Sequence, residues 1–223
     1  MHIAIILDGN RRFAKKLMFK PWKGHEYGAR KIEKLLDYAK ELEIKQMTFY
    51  CLSSENIKNR PKNELDYLLN LFKKEFKNMD RDKIQKNQIK IRFIGDLTLL
   101  PLDLQQQCQK LEQETKKNNQ FKTNFAIAYG GKQEIINAIK KIIKNKISPE
   151  QITEKLISQN LYLSDEPDMI IRTGGEKRTS NFLPWQSAYS EWFFLDKMWP
   201  EFEKQDLINC INEFKNRKKN FGA

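Results

Sequence analysis

Apolar and polar positions along this chain fall into blocks whose period switches repeatedly between strand-like and helix-like. The first block, Ile3-Ala4-Ile5-Ile6-Leu7, breaks abruptly into Asp8-Gly9-Asn10-Arg11-Arg12. A short apolar run that ends in turn residues reads as a buried strand emptying into a loop. Phe13, Ala14, Leu17 and Met18 then interrupt a basic stretch and predict a short helix over 12–20, stopped by Pro21. Ile32, Leu35, Leu36, Ala39 and Leu42 recur at three- and four-residue steps and predict an amphipathic helix over 28–42. A second strand, over 47–52, empties into Ser53-Ser54-Glu55-Asn56. Two strands separated by a helix make a βαβ unit, and ligands bind at the carboxyl ends of strands in open parallel sheets.

Leu65, Leu68, Leu69, Leu71, Phe72 and Phe76 cover a wide arc of a helix over 64–79. Such a helix is deeply buried or walls an apolar cavity. A strand over 89–94 ends at Gly95-Asp96, and a polar helix follows over 102–117. A strand over 121–129 closes in Gly130-Gly131, and Ile135, Ile136, Ile139, Ile142 and Ile143 mark a helix over 133–144. Another helix is expected to start at Ser148-Pro149-Glu150, with Ser148 as its N-cap. Met169-Ile170-Ile171 forms a short strand that breaks into Arg172-Thr173-Gly174-Gly175-Glu176. The last strand is expected over 191–195 and the last helix over 204–219. Strands alternating with helices, without a repeat or linker, predict one α/β domain spanning 1–223. Its centre is a six-stranded, mainly parallel sheet flanked by helices.

Charge adds a direction. Lys and Arg number 41 against 29 Asp and Glu, a net charge of +12, which favours an anionic partner such as a phosphorylated molecule, an acidic membrane surface or nucleic acid. No recognised nucleic-acid motif accompanies the charge, so no nucleic acid is expected. Cys51, Cys108 and Cys210 have no paired spacing, and His2 and His25 are the only histidines, which argues against zinc and fits a reducing cytoplasm. No apolar run reaches the ~18 residues of a membrane span, and the chain enters its first strand without room for a signal peptide. The expected location is cytoplasmic.

Chemistry-bearing residues collect beside the strands: Asp8 to Arg12, Ser53 to Asn56, Arg172 to Ser180, and Glu191 at the start of the last strand. Arg11 and Arg12 offer planar forks that match phosphate. Arg172, Arg178 and Ser180, with the Gly174-Gly175 turn between them, make a second candidate diphosphate cradle. Asp8 and Glu191 are hard oxygen ligands suited to Mg²⁺ over a diphosphate. Neither a dinucleotide fingerprint nor a P-loop is present, and no Asp-Asp-x-x-Asp cluster occurs.

These residues, in this order, resemble the cis-prenyltransferases, the undecaprenyl or dehydrodolichyl diphosphate synthases. The resemblance runs over nearly the whole chain. It is carried by Ile5 to Ala14, Gly24-His25, Ser53-Ser54-Glu55-Asn56, Arg60-Pro61, Ile94-Gly95-Asp96 and Tyr129-Gly130-Gly131, then by Asp168 to Glu176 and Ser180 to Glu191. It implies condensation of an allylic diphosphate, farnesyl or geranylgeranyl, with several isopentenyl diphosphates to a Z-polyprenyl diphosphate. It implies that Asp8 holds Mg²⁺ and assists departure of the allylic diphosphate, with Glu191 completing the metal site. Gly9, Asn10, Arg11, Arg12 and His25 would surround that diphosphate, with Phe13 against the prenyl chain. Arg172, Arg178, Thr179 and Ser180 would hold isopentenyl diphosphate. Asn56 would sit by the proton lost after bond formation, with Ser53 and Glu55 nearby, and Ser54 and Arg60 would be among the substrate-binding residues. The apolar helix over 65–76 would wall a tunnel for the growing chain, and Phe121 occupies the place of a residue that forms the tunnel floor. A homodimer is implied, and a lipid product implies transient, peripheral membrane association for its release.

This chain also departs from the pattern. Arg11 stands where many members have glycine, Phe13 replaces a tryptophan or tyrosine, and Lys177 replaces a histidine. A phosphate-binding arginine falls on Pro21, leaving Lys20 or Lys23 as substitutes. The Arg-x-Gly that reaches a partner subunit reads Asn220-Phe221-Gly222. A non-catalytic subunit of a heteromeric prenyltransferase is the alternative, but such subunits lack the aspartate and arginines present here.

Overall fold

The computed structural model describes residues 1–217. Asn220-Phe221-Gly222 lies outside the described residues. In chain order the elements are β1 (His2–Ile6), α1 (Asn10–Lys16), α2 (Gly24–Glu41), β2 (Gln46–Ser53), α3 (Ser54–Asn59), α4 (Lys62–Asn78), α5 (Arg81–Lys86) and β3 (Ile89–Ile94). They continue as α6 (Leu102–Glu114), β4 (Phe121–Tyr129), α7 (Gly131–Lys144), α8 (Glu154–Asn160), β5 (Met169–Arg172), β6 (Glu191–Phe194) and α9 (Lys204–Asn216). The six strands form one sheet in the order β3-β4-β2-β1-β5-β6, and every pairing is parallel, not merely most of them.

Side-chain alternation divides β1 between two cores. Ile3 and Ile5 join Phe49, Ile91, Phe93 and Phe125 under α2, α4, α6 and α9. Ala4 and Ile6 join Tyr50, Ala126, Ile170, Phe182 and Leu183 on the other face. A strand covered on both faces must be apolar at every position, which is why β1 reads as an unbroken run. From β1 the chain moves to β2 on one side, whereas from β5 it moves to β6 on the other. The crevice between the ends of β1 and β5 is therefore a topological switch point, where such sheets bind ligands.

Helix boundaries depart from expectation where capping competes with periodicity. The helix expected over 12–20 stops at Lys16, because Met18 takes a left-handed φ of 59° and ends the hydrogen-bond ladder. The polar loop expected over 53–56 is instead the start of α3, with the Ser53 hydroxyl accepting from the Asn56 amide at 3.0 Å. Ser148 caps only a single tight turn over Pro149–Gln151. The helix that follows begins at Glu154, capped by Thr153. Each of the three cysteines is a free thiol, with Cys108 and Cys210 buried.

Candidate active site

Asp8 leaves the end of β1 at the switch point and is held there from several directions. Its carbonyl accepts from Trp199 N–H at 2.9 Å and from the Thr173 hydroxyl at 2.7 Å. Trp199 is wholly buried, and its indole N–H donates to the Gly28 carbonyl at 2.9 Å, tying α2 to the same loop. Gly9 follows with φ of 105°, and a Cβ there would lie 2.8 Å from Met198 Cβ. Only glycine fits both that backbone and that approach.

The Asp8 side chain faces three donors. Arg172 Nη2 lies 2.8 Å from Oδ2, the Gly9 amide 2.7 Å from Oδ1, and Arg12 Nη2 3.3 Å from Oδ1. Arg172 is 3% exposed, and its Nη1 donates to the Ser180 hydroxyl at 2.7 Å and to the Arg178 carbonyl at 2.5 Å. Its Nε has no partner among the described residues. One guanidinium thus joins the Asp8 loop to the 178–180 loop, where Ser180 and Asn181 take left-handed φ values of 51° and 60°. Strain of that kind persists only where surrounding contacts over-determine the backbone.

A second cluster forms where α1, α2 and α4 meet. Arg60 Nη1 donates to Glu64 Oε1 at 2.9 Å and to His25 Nε2 at 3.2 Å, and Arg11 Nε lies 3.6 Å from the same glutamate oxygen. Burial lowers the His25 pKa to about 3, and the neighbouring Arg60 and Arg11 push in the same direction. His25 is therefore neutral at physiological pH, with Nε2 an acceptor and Nδ1 carrying the proton. Glu55 accepts from Asn181 Nδ2 at 2.7 Å. Burial would raise its pKa, but the hydrogen bonds from Asn181, the backbone, Ser53 and Ser54 outweigh it and hold the carboxyl below its usual range.

Both clusters open onto one cavity of about 1360 Å³. Its polar end is lined by Asp8, Gly9, Asn10, Arg11, Arg12 and His25, by Ser53, Glu55, Asn56 and Arg60, and by Arg172, Arg178 and Ser180. The cavity continues past Leu68, Leu71, Phe72 and Phe76 of α4 to Ile89 and Phe121, the first residues of β3 and β4. It therefore runs the height of the sheet, about 20 Å at the strand rise per residue. Its rim at the far end carries Lys40, Lys45 and Lys86.

Several expected site residues stand elsewhere. Glu191 is the first residue of a parallel strand, in register with Met169, which pairs with Ile3. It thus lies at the opposite sheet edge from Asp8, ion-paired to Arg217 at 2.6 Å, and this chain does not bring the two carboxylates together. The beginnings and ends of parallel strands lie on opposite edges, so Glu191 does not share an edge with the other clusters. Phe13 packs against Tyr27 at 5.4 Å between ring centroids, and neither it nor Ser54 nor Thr179 lines the cavity. Lys20 and Lys23 are also absent from the lining, whereas Lys15 is present. Asn10 lines the cavity, but its side-chain amide donates to the Leu7 carbonyl at 2.8 Å.

Glu64 is a site residue that the sequence does not announce: it stands in the first turn of α4, and Arg60, the extended residue that follows α3, reaches it. Thr173 was noted only as part of a turn. Nothing local announced that its hydroxyl would hold the Asp8 carbonyl.

No cluster of three or more His, Cys, Asp or Glu side chains suited to a metal occurs among the described residues. Mg²⁺ fits this site nonetheless, because it is commonly held by one or two carboxylates together with substrate phosphates. Asp8 keeps 28% of its side chain exposed toward the cavity.

Comparison with known proteins identifies the family and the fold. The undecaprenyl diphosphate synthase family model matches residues 6–222. A tritrans,polycis-undecaprenyl-diphosphate synthase (geranylgeranyl-diphosphate specific) from Methanopyrus kandleri is 44% identical, covering 99% of this chain and 84% of that protein. Its counterpart from Thermococcus kodakarensis is 42% identical, covering 99% and 86%. Among solved structures, lavandulyl diphosphate synthase from Lavandula x intermedia, in complex with dimethylallyl diphosphate, superposes with a TM-score of 0.94 at 31% identity, covering 100% of this chain and 98% of that one. A "probable undecaprenyl diphosphate synthase" from Campylobacter jejuni gives 0.84 at 33%, with the same coverage. With its parallel sheet, its switch-point aspartate and arginine, and these full-length matches, the chain belongs to the undecaprenyl diphosphate synthase family, the cis-prenyltransferases, and is a polyprenyl diphosphate synthase.

Proposed function

We propose that the chain is a Mg²⁺-dependent cis-prenyltransferase that extends geranylgeranyl diphosphate with several isopentenyl diphosphates to a Z-polyprenyl diphosphate, a lipid-carrier precursor. The observation that carries this reading is the Asp8–Arg172 contact of 2.8 Å at the mouth of a cavity walled by α2, α4 and the sheet. The choice of the C20 primer over farnesyl diphosphate follows the printed specificity of the archaeal relatives.

In this mechanism Arg11, Arg12, Arg60 and neutral His25 receive the allylic diphosphate beside Gly9 and Asn10. Arg172, Arg178 and Ser180 receive isopentenyl diphosphate. Asp8, together with diphosphate oxygens, would hold Mg²⁺, which would supply charge neutralisation at the leaving group. The allylic C–O bond breaks with its electron pair going to diphosphate oxygen, a charge that preorganised guanidinium groups stabilise. The isopentenyl double bond supplies the electron pair of the new C–C bond; the C–H pair of the adjacent carbon, near Asn56, then forms the new double bond as its proton passes to the released diphosphate. Glu55, held ionised by its hydrogen bonds, is a poor proton acceptor and instead orients Asn181. The growing chain moves along the α4 wall, which makes the cavity a product tunnel with Phe121 at its far end. Glu191 enters no step within one chain.

The protein is read as a single cytoplasmic unit working as a homodimer, with transient membrane association and no nucleic-acid partner. Among the described residues no helix is long and apolar enough to cross a membrane. The test is incorporation of labelled isopentenyl diphosphate by purified protein with Mg²⁺ and either a C15 or a C20 primer. Extension of the C20 primer, lost on chelation, is expected. No extension of either primer overturns the reading.

A further inference from the structure

The segment that ends α1 is at odds with an ordinary soluble surface. Leu17, Met18 and Phe19 are 41%, 94% and 48% exposed, and Tyr27 beside them is 37% exposed. Consecutive large apolar side chains left in water are uncommon on a monomer and mark an interaction surface. The tip is built, not frayed. The Leu17 and Phe19 amides both donate to the Ala14 carbonyl, at 3.1 and 2.9 Å, and Phe19 stacks on Tyr27 at 6.4 Å. Met18, between them, is held at φ of 59°, a left-handed conformation that is strained for a non-glycine residue.

Charge identifies the occupant. From Gly9 to His25 there is no Asp or Glu, while Arg11, Arg12, Lys15, Lys16, Lys20 and Lys23 all fall within that stretch. Lys16 pairs with Glu201 and Lys23 with Glu26. Lys15 and Lys20 have no carboxylate partner among the described residues, and Lys20 Nζ instead lies 5.6 Å over the Trp22 ring. Apolar tips ringed by lysines, with tyrosine and tryptophan at their base, suit the boundary between acyl chains and anionic headgroups. A protein partner with a hydrophobic pocket would meet the apolar tip but not require the lysines.

We infer that Leu17, Met18 and Phe19, with Lys15 and Lys20, form a docking surface for an anionic lipid bilayer. The same helix presents Arg11, Arg12 and Lys15 to the cavity mouth. Docking there places the diphosphate site at the headgroup plane, where a prenyl diphosphate primer resides and from which a polyprenyl product leaves. This deepens the proposed function, and its lipid logic rests on that reading.

The experiment is flotation of the full chain with vesicles of phosphatidylcholine alone or containing phosphatidylglycerol, alongside the Leu17→Ser/Met18→Asn variant. Asparagine tolerates the left-handed backbone, and neither position lines the cavity. Wild type is expected to float with the anionic vesicles and to be released by high salt. The variant is expected to partition about tenfold more weakly, given the apolar area removed, with unchanged melting temperature and unchanged turnover of detergent-dispersed substrate. Equal partition of the two proteins, or a loss of oligomeric mass in the variant without loss of flotation, overturns the inference. Flotation that depends on these residues in a protein inactive with both primers leaves the docking surface standing and removes the proposed function.

Discussion

Asp8 and Arg172 are 164 residues apart in sequence, yet their side chains meet at 2.8 Å across the seam between β1 and β5. The arginine is almost wholly buried and the aspartate partly open to the cavity. Breaking such a pair by removing one partner leaves a buried charge uncompensated.

Asp8→Asn should therefore separate chemistry from folding. It keeps an oxygen acceptor for Arg172 but loses the charge proposed to hold Mg²⁺. Turnover is expected to fall by about 10³, the scale set by losing a preorganised electrostatic contact, with a weaker Mg²⁺ titration midpoint and little change in melting. Asp8→Ala should lose as much turnover and also melt earlier, since Arg172 then has no oxygen partner there.

Arg178, in contrast to the buried Arg172, has its side chain 59% exposed and, among the described residues, ion-pairs with Glu176 alone. Arg178→Ala should raise the KM for isopentenyl diphosphate by about tenfold, the value of one charge-assisted hydrogen bond, and leave melting unchanged. Arg172→Ala should damage both. Initial rates with each substrate varied, together with thermal melts, check the contrast.

Phe121 lines the far end of the cavity. Phe121→Ala should shift the product distribution to longer chains by one or more isoprene units, read by mass spectrometry of extracted products. If the cavity is the proposed product tunnel, a smaller side chain at its end lowers the steric cost of further extension. An unchanged distribution would place the limit elsewhere along α4.

Acid should destabilise the protein through its two histidines. Burial lowers the pKa of His25 to about 3 and that of His2 to about 4, although the nearby Asp165 and Asp168 oppose the shift at His2. Between these values and 6.5 the unfolded chain binds protons that the folded chain does not. Stability thus rises with pH across that window and is lost as pH falls below about 6.5. Melting temperature against pH should show this slope. His25→Gln, which keeps an acceptor for Arg60, should reduce it.

Much of the site was legible because its chemistry lies close to strand ends. Asp8 to Arg12 follow an apolar run, and Arg172 follows another, so each local cluster could be placed at the carboxyl edge of a strand. Glu191 shows where such reading fails. Beside a strand it looked equivalent to the others, but being first in a parallel strand put it at the opposite edge. Phe13 differs: it lies on α1 as expected, but its ring packs against Tyr27 and it is not among the residues that line the cavity.

Local sequence determined the alternating elements, the parallel α/β class and which side chains are candidates for binding phosphate, since periodicity and turn chemistry act over a few residues. Tertiary structure alone decided which clusters meet. The strand order placed β1 beside β5 and so brought Asp8 to Arg172. It also turned α4 from a buried helix into a cavity wall. Those outcomes depend on packing between segments far apart in the chain, where no local pattern records the partner.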